Sequence, residues 1–142
     1  MPRYLGSLAL LVGGMSVGYV RAEPMPEPAT ALSKLAKQRR DSARRTYEIH
    51  WEYYRDNRTA EELVYRWSLR WLEAERQVSE EPADQIAAYD GHLERMRELD
   101  RLVTKLRSSR VVTIDVVSAV EFYRVEAEVW LLQAKKEGKK NR

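Results

Sequence analysis

An all-α fold is predicted by two features of the sequence. Apolar residues recur at three- and four-residue steps in four separate segments, the signature of amphipathic helices. Between Pro28 and Pro82 there is no proline, and beyond residue 22 the only glycines are Gly91 and Gly138, so the turn punctuation of an all-β chain is missing. The expected helices cover about residues 29–55, 59–79, 82–107 and 112–136. Their links are short, which sets neighbours antiparallel and gives two helical hairpins, 29–79 and 82–136. An up-down bundle and an extended hairpin pair both satisfy this pattern.

The first helix follows a leader over residues 23–28, Glu-Pro-Met-Pro-Glu-Pro, whose three prolines cannot lie in a helix interior. Its stripe is Leu32, Leu35, Ala36, Ala43, Tyr47, His50, Trp51 and Tyr54. The second helix carries Ala60, Val64, Trp67, Trp71, Ala74 and Val78. Thr59-Ala60-Glu61-Glu62 at its start has the spacing of a capping box, in which Thr59 and Glu62 satisfy each other's backbone amides. Pro82, after Ser79 and two glutamates, suits the opening of the third helix, whose stripe is Ile86, Tyr89, Leu93, Met96, Leu99, Val103 and Leu106. Thr113 and Asp115 mark the approximate start of the fourth, with Val112, Val116, Val120, Tyr123, Ala127, Trp130 and Ala134 on its stripe. Residues 137–142 are expected to form a basic disordered tail.

The N-terminus reads as a signal peptide over residues 1–22. Arg3 provides a positive start, Tyr4 to Val20 is uncharged and apolar, and Val20 and Ala22 fit a small-residue cleavage site. The chain is therefore expected to be exported, to the periplasm or envelope of a bacterium, with the segment either cleaved or retained as an anchor. With no cysteine, it must be held by core packing or partners and not by disulfides. Removing residues 1–22 turns 25 basic and 22 acidic side chains into 23 and 22. Five of those bases lie in the last eight residues, so the body has no basic stripe and no nucleic-acid partner is expected. Membrane contact is confined to the N-terminal segment or the tail.

The two halves align with each other. Glu62-Leu63-Val64 matches Asp115-Val116-Val117, and Leu72-Glu73-Ala74-Glu75 matches Val125-Glu126-Ala127-Glu128, both at an offset of 53. Tyr54-Arg55 and Arg58 match Leu106-Arg107 and Arg110 at an offset of 52. This is the pattern of a duplicated hairpin. The repeat resembles the helical-hairpin repeat of TolC-like outer-membrane efflux factors, through Tyr54, Glu62, Leu63 and Ala74 in the first hairpin and Leu106, Asp115, Val116, Val117, Ala119 and Ala127 in the second. The resemblance spans roughly residues 34–134 and implies a shared hairpin architecture. Asn57 and Ser109 stand where that family has a turn glycine, and no alternating strand pattern of a membrane barrel is present. Transport activity is not carried over.

No catalytic constellation is expected. Cysteine is absent, as are a nucleophile elbow, a zinc-protease helix and a phosphate loop. His50 lies on the apolar stripe of the first helix, as a polar-tipped core residue. His92 falls beside the stripe of the third, with Leu93 the better core position. The acid pairs stand one or two residues apart, cannot face one site, and suit solvated helix faces paired with Arg66, Arg70, Arg76 or Arg124. Neither a metal nor a cofactor is expected. Tyr53, Tyr65 and Leu69 lie off the stripes and form the candidate interaction surface. The expected function is a non-catalytic structural or interaction protein with a protein partner or a second copy. The alternative is a periplasmic holdase, or a helical module binding a small ligand or metal.

Overall fold

The computed structural model describes residues 27–109 and 112–140. Four helices make up the fold: α1 Pro28–Arg55, α2 Glu61–Arg76, α3 Pro82–Ser108 and α4 Ile114–Lys140, with no strand among the described residues. Helix α1 runs antiparallel along α2, and α3 along α4, as the short links require. The hairpins join mainly through α2 and α3, with a lesser approach of α2 to α4, and α1 and α4 do not meet. The chain is thus an open layer of four helices in sequence order, and not a closed bundle. The expected signal peptide and most of the proline-rich leader lie outside the described residues.

Length makes α2 the odd member. Its 16 residues span about 24 Å, against about 42 Å for the 28 of α1. Arg39 of α1 donates to the Gln77 side chain just beyond the end of α2. The first eleven residues of α1 therefore run on past its partner, and Leu32 and Leu35, expected in the core, are 68 % and 59 % exposed. Below that point the stripes behave as periodicity requires. Tyr47, Tyr54, Val64, Leu99, Val103 and Val120 form one buried cluster, drawn from all four helices. Leu93, Met96, Ala127 and Leu131 form a second between α3 and α4.

The turns correct three expectations. The capping box is not used: α2 begins at Glu61, its N-cap is Ala60, and no side chain caps it. The chain instead leaves α1 through a Schellman turn. Asn57 takes φ 57, the Arg58 amide donates to the Tyr53 carbonyl (2.7 Å) and the Asn57 amide to Tyr54 (3.0 Å). Arg58 then lays its guanidinium 4.3 Å over the Tyr53 ring, a cation–π contact where this turn ordinarily has an apolar one. That geometry leaves Thr59 one residue short of the N-cap position, and Glu62 pairs with Arg66 one turn on. At the other end α2 stops at Arg76 and does not reach residue 79. Gln85 of α3 donates its amide to the Arg76 carbonyl (2.7 Å) and the Ser79 carbonyl, and accepts from Arg76 Nε (2.9 Å). One side chain thus serves carbonyls that the helix end leaves unpaired. Finally, α4 continues through Gly138 to Lys140, so the basic segment is helical and not a disordered tail up to that residue. A Cβ on Gly138 would stand 3.3 Å from Ile86 Cδ1, and the glycine lets the last turn of α4 close on the first of α3.

Because the left-handed residue and not the threonine organises the first turn, Asn57→Ala is expected to cost about 1 kcal/mol. Thr59→Ala should change stability by less than about 0.5 kcal/mol. Urea unfolding of the two variants checks this, and the reverse order of losses would refute the Schellman assignment.

Candidate functional site

Where the two hairpins join, the structure buries three polar side chains that periodicity does not flag as a group: Ser68 of α2 and His92 and Arg95 of α3. Ser68 follows Val64 by four residues, and His92 and Arg95 are three apart, so all three lie on the facing stripes of antiparallel helices. Arg95 Nε donates to Ser68 Oγ at 2.7 Å, and Nη2 reaches the Ser68 carbonyl at 3.4 Å. Ser68 Oγ is 2.8 Å from His92 Nδ1. Nε2 is buried without a protein partner.

Aromatic rings from α1, α2 and α4 enclose the cluster. The Arg95 guanidinium lies 3.9 Å over the Trp71 ring of α2 and 5.7 Å from that of Tyr47 of α1. His92 stacks on Trp130 of α4 at 5.8 Å. Burial lowers the Arg95 pKa to about 10, against the opposing pull of Glu75. Glu75 is itself raised, first by burial, with the Arg95 charge countering. His92 is pushed down to about 3, first by burial and then by the Arg95 charge. The imidazole is therefore neutral in the folded protein at physiological pH.

A serine hydroxyl against an imidazole is the opening pair of a nucleophilic hydrolase, but these surroundings oppose that chemistry. A general base works with a pKa near the working pH, and this one lies well below it. Arg95 draws on the same oxygen that would attack, and both Ser68 and His92 are fully buried. What the cluster can do is fix the register of two helices through charge-assisted hydrogen bonds.

The residues singled out by sequence fall in separate places. Tyr53 is exposed on α1 and carries the Arg58 cation. Tyr65 is not a free surface residue. Its hydroxyl donates to Glu126 of α4 at 2.7 Å and its ring stacks on Tyr123 at 3.9 Å, so it ties α2 to α4. Leu69 is half-buried. Tyr65 and Leu69 share one face of α2, while Tyr53 lies on α1. Thr59 and Glu62 form no cap. His50 is half-buried and stacked 6.2 Å from Trp67, as a polar-tipped core residue would be. His92 is as buried as Leu93, because the stripe of α3 is broad enough to include both. Among the described residues no group of three or more His, Asp or Glu stands together as a metal site. Set against known protein families, characterised proteins and solved structures, the chain matches none.

Two outcomes follow from the cluster. Ser68→Ala takes the Oγ partner from both Arg95 Nε and His92 Nδ1 in the interior and is expected to cost about 2–3 kcal/mol. Adding Arg95→Met should restore part of that loss, since the uncompensated charge leaves with it, and urea midpoints of the single and double variants decide. For pH, the folded His92 pKa of about 3 lies below the ordinary 6.5, so acid protonates the unfolded chain first. Stability is then full above the unfolded value and drains as pH falls toward the folded one. About 2–3 kcal/mol should be gone by roughly pH 4.5. Replacing His92 by Phe should flatten ΔG between about pH 7 and 5, and an unchanged slope would remove His92 from the account.

Proposed function

We propose that this chain is a non-catalytic interaction protein exported to the bacterial cell envelope. The observation that carries the reading is the placement of apolar surface. The polar cluster is shut inside the helix junction, while α1 leaves Leu32 and Leu35 uncovered and α4 exposes Phe122, Val125, Val129 and Leu132 on its outer side. Contiguous apolar faces rimmed by charge are where soluble proteins meet other macromolecules. Export rests on the signal-peptide grammar of residues 1–22. Among the described residues no helix is long and apolar enough to cross a membrane.

The test is photo-crosslinking in cells. A photoreactive amino acid placed at Leu32 or Phe122 should give discrete adducts, whereas one at the exposed Thr104 of α3 should give none. A broad smear at both apolar sites would instead point to a holdase with many clients. No adduct at either would remove the interaction reading.

A further inference from the structure

The outer face of α4 carries its own register. Phe122, Val125, Val129 and Leu132 follow one another at steps of three, four and three, the a/d spacing of a two-stranded seam. They are 61 %, 45 %, 44 % and 61 % exposed. This stripe lies opposite the residues α4 buries, Val120, Ala127, Leu131 and Ala134, so α4 is apolar on two sides and covered on one. Ser118 precedes the seam by one such step and Lys136 follows it, so polar residues close both ends. The stripe offers on the order of 400 Å² of apolar surface, the size at which exposed patches are ordinarily functional.

We propose that this seam is the contact surface of a homodimer in which α4 pairs antiparallel with α4 of a second copy. The proposal rests on the interaction reading above and names its occupant. Charge decides the orientation. The first half of α4 carries Asp115, Glu121, Glu126 and Glu128 against Arg124, and the last turns carry Lys135, Lys136, Lys139 and Lys140 against Glu137. A parallel pair would set the two lysine-rich ends side by side. An antiparallel pair sets each acidic half against a basic end and also opposes the helix dipoles. Centred between Val125 and Val129, it brings Phe122 to Leu132 of the other copy, Val125 to Val129, and Glu121 to Lys135, each twice by symmetry. Near the axis Glu128 meets its own counterpart, where Arg124, 3.6 Å away in the same chain, offsets the repulsion.

The charge pattern of α4 supports a second copy over an unrelated partner, because its acidic half and its lysine-rich end complement each other across a two-fold axis. Val125 is the counterpart of Leu72 at the offset of 53, and Leu72 is 2 % exposed because α2 is covered on both sides. Among the described residues no helix covers the equivalent position on α4. The area is below the roughly 800 Å² per partner of a standard interface, in the size range of weak, transient contacts, so the dimer is reversible.

The chain has no cysteine, which makes disulfide mapping clean. Phe122→Cys and Leu132→Cys chains, differently tagged and mixed under mild oxidation, should give the mixed disulfide in preference to either homodisulfide. Sedimentation should show a reversible dimer for the wild-type protein. Val125→Glu should weaken it more than tenfold with circular dichroism and melting temperature unchanged. Homodisulfides in excess, a dimer that survives Val125→Glu, or a monomer at about 100 µM would each overturn the proposal. A monomer that still gives discrete crosslinks to another macromolecule from Phe122 would end the homodimer and leave the interaction reading standing. A monomer without crosslinks would end both.

Discussion

The structure depends on how one guanidinium is housed. Arg95 sits at the meeting of the two hairpins, its Nε on Ser68 Oγ and its flat face on Trp71, with no carboxylate of the described residues within salt-bridge distance. A charge in that position is tolerable only if hydrogen bonds and ring faces replace water together, because each alone falls short of the desolvation cost. The arrangement explains why α2 and α3 are held at one register. Sliding either helix by a turn would take Ser68 from Arg95 and leave a bare charge in the interior. Apolar residues at the same positions would tolerate several registers.

Much of the fold was legible in the sequence because helix periodicity is a strong signal and the links are short. The stripes of α3 and α4 name the core through Leu93, Met96, Leu99, Val103, Val120 and Ala127, all buried. The polar cluster was not legible, for a physical reason. Ser68 stands one residue past Trp67 on a stripe, and Arg95 one before Met96, so each is at the edge of an apolar face where spacing alone cannot separate a buried from a solvated polar group. Serine and arginine are usually exposed, and only a partner on another helix makes them otherwise. A stripe that carries a small hydroxyl on one helix and an arginine beside a histidine on the next was the one available clue.

Local motifs misled where a neighbouring motif competed for the same residues. The Thr59-x-x-Glu62 pattern is sound as a cap, yet Asn57 reverses the chain two residues earlier and fixes its path through Tyr53 and Tyr54. Tyr65 lies off the stripe of α2 and looks exposed when α2 is read as half of a two-helix hairpin. Among the described helices α2 alone is covered from three sides, by α1, α3 and part of α4, so its buried arc is wider than one stripe. Lysine-rich ends read as frayed, but residue 138 is a glycine beside Ile86, and close packing there extends α4.

The order of the helices in the layer has a kinetic consequence. Every helix meets chiefly its neighbours along the chain, so few contacts span long loops, and such topologies belong to the fast-folding class. Each hairpin closes through a short turn without waiting for the other. Arg95 belongs to the second hairpin and its serine to the first, so neither half alone can house the charge. A separately formed second hairpin keeps that guanidinium in water, and the docking of two preformed halves is the step at which it is dehydrated.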